Sequence, residues 1–320
     1  MPELEARLER AHPTPDVWYL AGPTASGKSA VAMSLARQLN GEIISIDSMQ
    51  VYKGLDVGTA KPSATDRSEI PHHLVDVVEL NEPFDAARFC QLAEGAVSSI
   101  RERGRSIIFC GGTGLYFKAW MEGVGKMPPA DPELRAQLNA SPLEALLREL
   151  EEKDPDSYAR IDRNNPRRVV RALEVVRLTG RSFVGQQSAW RSDPRTAMKR
   201  ADFFYLDREP QDLEARIRSR VDAMFAAGWV EETRLAMQAG LATNPTAFQA
   251  IGYRQILEHL RGERSLEGTR ELIQIRTRQF ARRQGMWFRK HGAPTHIPID
   301  PKQGAEEVAL LVTEARRANS

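Results

Sequence analysis

Several shortages narrow this 320-residue chain before any motif is read. Cysteine occurs only twice, as Cys90 and Cys110, with no CxxC and no Cys/His spacing. That argues against a zinc site and fits a reducing compartment. No apolar run approaches the roughly 18 residues that a membrane span requires. The charged stretch Met1–Pro15 has no apolar h-region, so no secretory signal is read and the expected location is the cytoplasm. Net charge is scarce as well, at +2, so any affinity for nucleic acid must come from local patches rather than a global field. Repeats and low-complexity segments are absent. The remainder, 41% hydrophobic and 28% charged, suits one large domain with a smaller companion, or two modest ones.

The strongest local signal lies between Val17 and Leu39. A short β-rich run, Val17–Ala21, meets Gly22, Pro23, Thr24, Ala25, Ser26, Gly27, Lys28 and Ser29, and a helix-period segment follows. This is G-x-x-x-x-G-K-[ST], the phosphate-cradling P-loop, in a strand-to-helix setting. Its backbone N–H groups and the positive end of the helix dipole form a concave anion seat. Lys28 adds a mobile positive charge, and the Ser29 hydroxyl suits a Mg²⁺ ion.

Glu42–Asp47 reads as a buried strand ending in a carboxylate. In an open parallel sheet, ligands sit beyond the carboxyl ends of the strands, which points Asp47 toward the P-loop's contents. The plainer alternative is an Asp that caps the following turn. Lys53–Arg67 is a long polar loop with Gly54, Gly58 and Pro62, and loops of that length usually carry function. His72 and His73 read as hydrogen-bonded packing groups, since no third ligand is spaced for zinc. A helix over Phe84–Arg103 leads to a strand, Ser106–Cys110, which ends in Gly111-Gly112-Thr113-Gly114. Paired glycines there allow close backbone approach to a ligand and Thr113 supplies a hydroxyl, although packing alone also explains such a loop. A phosphate loop, a carboxylate and a Gly/Thr loop thus converge on one sheet edge.

From Met121 the texture turns helical. Residues 121–199 read as an all-α insertion in an α/β core of residues 13–120 and 200–320. Asp131-Pro132-Glu133 opens one helix, and Asn165-Pro166 opens another that runs over Arg167–Thr179 and stops at Gly180. Strand texture resumes at Asp202–Asp207. The helix Pro210–Gly228 places Arg216 and Arg220 on one face at i, i+4, as a phosphate clamp or a solvated face. Further helices are expected over Phe248–Leu260 and Leu266–His291. The second holds six basic residues between Arg276 and Lys290 and no acidic one, with Ile273, Phe280 and Trp287 read as its buried stripe. Gly285 is an oddity that predicts a bend. One-signed, Arg-dominated helices favour polyphosphates, meaning RNA or DNA. The fold expected is α/β, a P-loop NTPase-like parallel sheet with flanking helices and an all-α insertion.

These parts leave several chemistries open. A small-molecule kinase would use ATP in the loop and Asp47 as base, yet needs no pair of basic surfaces. A helicase or ATPase needs an acid at the end of a hydrophobic strand, where Gly111-Gly112 stands instead. A transferase that modifies RNA with a pyrophosphate-bearing donor uses every part, and a non-catalytic RNA-binding switch is the remaining class.

GPTASGKS, DSMQVYKGLDVGTAKP, IPHHLVD, GGTGLYFKA, DPELR, NPRRVVRALEV, AIGYRQ and RRQGMWFRKH together resemble the bacterial tRNA dimethylallyltransferase family, in order and spacing, from about Trp18 to His291. That resemblance implies transfer of a dimethylallyl group from dimethylallyl diphosphate to N6 of adenosine 37, 3′ of the anticodon, with release of pyrophosphate. It implies that the P-loop holds the donor's diphosphate rather than ATP, with Lys28 and a Mg²⁺ ion on Ser29 neutralising the leaving group, and with Arg220, alone or together with Arg216, reaching the diphosphate. It makes Asp47 the base and sets Thr113 near the amine. The target adenine must be flipped out of the anticodon loop. tRNA contacts are then expected at Asp47, Ser48, Met49, Gln50 and Thr113, and at Arg135, Arg167, Arg168, Val169, Val170 and Arg171 in the insertion. They are also expected at Gln249, Ala250, Ile251, Gly252, Tyr253 and Arg254, and at Arg282, Arg283, Gln284, Gly285, Met286, Trp287, Phe288 and Arg289. A single active site of this kind requires only a monomer.

Overall fold

The computed structural model describes residues 16–123, 127–187, 202–291 and 294–319. The charged lead-in and the end of the expected insertion lie outside the described residues. Two compact units emerge, one formed by Met1–Lys118 with Met198–Ser320 and the other by Ala119–Ala197.

In chain order the elements are β1 (Val17–Ala21), α1 (Lys28–Leu39), β2 (Gly41–Ile46), α2 (Ala64–Glu69), β3 (His72–His73), α3 (Ala86–Glu102), β4 (Ser106–Gly111) and α4 (Gly114–Glu122). Next come α5 (Pro132–Ala140), α6 (Leu143–Lys153), α7 (Pro155–Arg160), α8 (Pro166–Thr179) and α9 (Phe183–Gln187). The chain then supplies β5 (Phe203–Arg208), α10 (Pro210–Ala226), α11 (Trp229–Gln238), α12 (Tyr253–Leu260), α13 (Leu266–Lys290), β6 (Thr295–Ile299) and α14 (Ala305–Asn319).

The six strands form one parallel sheet in the order β3-β2-β4-β1-β5-β6. Parallel strands covered on both faces read as continuous apolar runs, and β1 and β4 do so. Successive residues nevertheless face opposite sides. Trp18, Leu20, Ile43, Ile108, Phe204 and Leu206 join Val31 and Leu35 of α1 and Val308 and Val312 of α14 in one core. The opposite face is aromatic. Tyr19 stacks on Phe109 at 5.1 Å, and Phe117 lies 5.3 Å from Phe203 and 5.5 Å from Phe288 of α13. Each fully buried aromatic of this kind is worth about 1.5–3 kcal/mol of transfer energy. Ala21 and Ile46 both register with Gly111, so β1, β2 and β4 end level and hand their loops to one edge.

In the second unit, Leu138, Leu146, Leu150, Val169, Val170, Leu173 and Val175 form a separate core. Pro166 opens α8 in its first turn, and Gly180 ends it with φ +64°, as the sequence signals predict.

The structure departs from sequence expectation at four places. His72 and His73 are hydrogen-bonded as expected, to Ile70 O at 2.8 Å and Glu42 Oε2 at 2.7 Å, but they also form an edge strand beside Ile43 and Ile44, too short to carry a period. The helix expected from Phe248 is a 3-10 turn, Ala247–Gln249, and then α12. Between them Gly252, at φ +103°, lies so close under Trp229 that a Cβ would be 2.0 Å from its ring. Helix α13 is continuous through Gly285, where a Cβ would stand 3.2 Å from the Tyr205 hydroxyl, so packing explains that glycine. Finally, the buried stripe of α13 runs through Ile273, Ala281, Gln284, Gly285 and Phe288, leaving Phe280 exposed and Trp287 half-buried.

Candidate active site

Beyond β1 the chain turns sharply through Pro23–Ser26, with Ser26 N–H donating to Pro23 O at 3.2 Å. Ala25 and Gly27 sit at φ +65° and +92°. Glycine adopts that left-handed backbone freely, whereas Ala25 is strained there, the kind of strain that concentrates at functional sites. Gly22 has a separate reason, since a Cβ on it would lie 2.7 Å from Ser26 Oγ. Helix α1 has no side-chain cap and no acidic residue in its first turn. Its leading N–H groups and dipole therefore face the loop's concavity without a resident anion.

Asp47 follows β2 immediately. Its Oδ1 accepts from Met49 N–H at 2.8 Å and Gln50 N–H at 3.3 Å, so the turn-capping alternative is also correct. The second oxygen, Oδ2, has no hydrogen bond among the described residues. Thr113 N–H donates to Ile46 O at 3.2 Å, and its Oγ1 accepts from Ser48 N–H at 3.2 Å. The loops after β2 and β4 are thereby locked together. Gly111 permits this, because a Cβ there would stand 2.1 Å from Ile46 O.

Asp47, Lys28, Ser29, Thr24, Arg220 and Gln284 line one cleft, whose remaining wall includes apolar Ala32, Ile43, Pro62 and Phe280. Lys28 donates to Pro23 O at 3.3 Å. Burial holds its ammonium below the usual lysine range, and nearby Arg220 pushes the same way, against the opposing influence of Asp47. Burial likewise lowers Arg220, which Asp47 partly offsets. Cys110, in the same wall, is pushed up to about 11 by burial and stays a protonated thiol. Two cations share one carboxylate here, a balance that favours a multiply charged anion.

The loop is braced by Arg208, which carries no motif, by Arg216, whose role the sequence leaves open, and by Gln284, expected as a tRNA contact. Arg208, 4% exposed, donates from Nε to Ser26 O at 2.7 Å and pairs with Asp212 at 2.6 Å. Its only sequence signal is a basic residue at the end of a strand. Arg216 donates to Ala25 O at 2.8 Å, so it supports the loop's backbone while Arg220, one turn on, faces the cleft. Gln284 accepts from Thr24 N–H and donates to Gly112 O, both at 2.9 Å.

Among the residues expected to touch RNA, several are buried. Gln284, Gly285 and Phe288 lie on the inward face of α13, with Gln284 in the cleft wall; Ala250, Gly252 and Tyr253 are buried, the last two against Trp229; and Val169 and Val170 belong to the core of the second unit. Their side chains support neighbouring exposed groups. Arg135 and Arg171 both pair with fully buried Glu174, which also accepts from Asp131 N–H at 2.9 Å; Arg135 thereby holds α5 to α8, while Arg171, on α8 itself, also donates to Pro128 O at 2.8 Å. Arg167, Arg168, Gln249, Arg254, Arg282, Arg283, Met286 and Arg289 are exposed, and Ser48, Met49, Gln50, Ile251 and Trp287 are half-buried.

An uncapped helix end, a loop of convergent N–H groups and two under-neutralised cations define a P-loop-type α/β phosphate-ester-binding protein. Its fourth strand ends in glycines where an ATPase would place an acid, and its carboxylate stands on the second. Comparison with known proteins narrows the class. The profile of the family described as IPP transferase matches residues 50–291, and the chain belongs to that family. It is 47% identical over 297 residues to a tRNA dimethylallyltransferase of Anaeromyxobacter dehalogenans, covering 90% of this chain and 97% of that one. Over 285 residues it is 44% identical to tRNA dimethylallyltransferase 1 of Trichlorobacter lovleyi, covering 87% and 92%. Among solved structures, it resembles the full-length tRNA isopentenylpyrophosphate transferase of Bacillus halodurans at 34% identity and TM-score 0.67, covering 95% and 97%. A eukaryotic dimethylallyltransferase described as acting on tRNA matches at 27% identity and TM-score 0.74, covering 95% of this chain and 77% of that one.

Proposed function

We propose that this chain transfers a dimethylallyl group from dimethylallyl diphosphate to the N6 amine of adenosine 37 in tRNA. The observation that carries this reading is the single cleft in which Lys28 and Arg220 face a P-loop and the Asp47 carboxylate stands beside them. The P-loop N–H groups, Lys28 and Arg220 grip the diphosphate. The N6 lone pair is delocalised into the purine ring, so the amine is a weak nucleophile and gains from a positioned base. Asp47 is restrained through Oδ1 and takes the amine proton on Oδ2. The new N6–C1 bond forms as the allylic C1–O bond breaks, and the electron pair leaves on pyrophosphate, stabilised by the cations. Thr113 fixes the loop beside the amine.

A Mg²⁺ ion fits the donor set. Ser29, exposed at the cleft, offers a hydroxyl, and Asp47 lines the same space. No group of three His, Cys, Asp or Glu residues forms a cage among the described residues. Mg²⁺ is commonly held by one or two protein oxygens, substrate phosphates and water, and when bound it neutralises diphosphate charge.

The exposed arginines of α13 and α8 supply tRNA-facing charge on each unit. Both cysteines are buried free thiols, and no helix among the described residues is long and apolar enough to cross a membrane. The free thiols suit a reducing, cytoplasmic setting, and a single cleft of this kind needs no second copy of the chain. The test is mass analysis of tRNA nucleosides after incubation with dimethylallyl diphosphate and Mg²⁺. Gain of one dimethylallyl group on adenosine, dependent on the donor, is expected. An unmodified tRNA, or a phosphorylated small molecule made from ATP, would refute the reading.

A further inference from the structure

Loop residues 55–62 contribute Thr59, Ala60 and Pro62 to the cleft. Three successive backbone N–H groups of this loop converge on one carboxylate, Glu232 of α11. Asp56 and Val57 donate to Oε2 at 2.9 and 2.6 Å, and Gly58 donates to Oε1 at 3.0 Å. Oε1 also accepts the Tyr253 hydroxyl at 2.7 Å. Successive N–H groups aimed at one point make an anion seat, and here the chain fills it with its own side chain.

The neighbourhood is built around this contact. Trp229, one turn before Glu232, lies so close to Gly58 that a Cβ there would be 2.1 Å from its Nε1. Inside the loop, Lys61 is only 2% exposed and reaches Tyr52 O, Asp56 and Asp76. The loop's inner carbonyls, Thr59 O and Ala60 O, accept from Gln50 Nε2 at 3.2 and 3.1 Å. Gln50 Oε1 accepts from Ser45 Oγ at 3.0 Å, and Gln50 N–H donates to Asp47 Oδ1 at 3.3 Å. An unbroken path of hydrogen bonds and backbone therefore runs from Glu232 through the loop to the carboxylate assigned as the base.

We propose that Glu232 is a positioning residue for the transfer step. It touches no substrate and acts by fixing the loop that holds Gln50 and the Asp47 turn. This rests on the prenyl-transfer reading above. Removing Glu232 leaves four donors without their acceptor and lets the loop shift, and a displacement of about 1 Å at a reacting group can cost on the order of 100-fold in rate.

The experiment uses the full chain with Glu232→Gln, which keeps the side-chain volume but turns an NH₂ group toward donors. Turnover with dimethylallyl diphosphate and tRNA is expected to fall about 10–100-fold. Pyrophosphate affinity, read by calorimetry, should stay within about twofold because the P-loop, which makes the anion seat, is held by Arg208, Arg216 and Gln284 and not by this path. In Glu232→Ala, added formate should recover part of the lost turnover by refilling the N–H seat, whereas formamide should not. Turnover of Glu232→Gln within about threefold of wild type overturns the proposal. A parallel loss of pyrophosphate affinity also overturns it, because the role is then general support of the fold. A wild-type chain that binds pyrophosphate yet transfers no prenyl group defeats the functional reading instead.

Discussion

In the proposed mechanism Asp47 holds two jobs that one pair of substitutions separates. Its Oδ1 caps the turn through Met49 and Gln50, while Oδ2 is available to a substrate proton. Asp47→Asn retains an oxygen at the first position and loses the basic one. General-base catalysis contributes about 10²–10⁴ in rate, or roughly 3–5 kcal/mol of barrier, and that is the loss expected in Asp47→Asn. Asp47→Ala should lose the same rate and also two turn hydrogen bonds, each worth about 1 kcal/mol. Its Tm should therefore drop while that of Asp47→Asn stays near wild type. Asp47 is also an anionic neighbour of Lys28 and Arg220, so its neutralisation leaves the cleft more positive. Donor affinity should hold or tighten as turnover collapses. The assay is single-turnover transfer of labelled dimethylallyl with enzyme in excess over undermodified tRNA, beside donor titration and thermal melts. An Asp47→Asn rate within about tenfold of wild type would refute the assignment. So would a donor affinity that falls in step with the rate.

Gly111→Ala should destabilise the core by about 3 kcal/mol or more, read as a lower urea midpoint, because the new Cβ meets Ile46 O of an immobile strand. Arg282→Ala with Arg283→Ala should weaken tRNA binding across sequences and reduce the slope of log K against log salt by about one to two, measured by filter binding. The hydrogen bond from Arg177, aided by Lys153, holds the Glu149 carboxyl down at about 2 against an ordinary 4.5, burial opposing. A lowered carboxyl pKa contributes stability above 4.5 that is lost as pH falls toward 2. Glu149→Gln should therefore cost about 1–3 kcal/mol at pH 7, with the gap to wild type closing in urea titrations below pH 4.5. A gap independent of pH would count against this ion pair.

What could be read from the chain without coordinates was local. The P-loop is eight consecutive residues whose spacing is its geometry. The long buried strands β1, β2, β4 and β5 announce themselves as short apolar runs between turn signals, and their parallel order follows from the helices between them. The unpaired sign of α13 is a count along the chain. β3 escaped because two residues carry no period, and their extended backbone exists only by pairing with Ile43 and Ile44. The inward face of α13 was misjudged through Phe280 and Trp287, since several apolar phases fit 25 residues and only packing selects one.

The chemistry was therefore determined by the sequence to the level of its components: an anion loop, a carboxylate at a strand end, a Gly/Thr turn and arginine-rich helices. Tertiary structure decided which arginine does what. Arg208 and Arg216 face backbone carbonyls of the P-loop and Arg220 faces its contents, a division of labour that three identical side chains cannot encode by spacing. It also decided that Gln284 and Glu232, 260 and 174–176 residues from their partners in the chain, hold the loops of the cleft in place. Contacts across such separations leave no periodic trace, because they depend on where the folded sheet brings two loops together and not on what lies beside either of them.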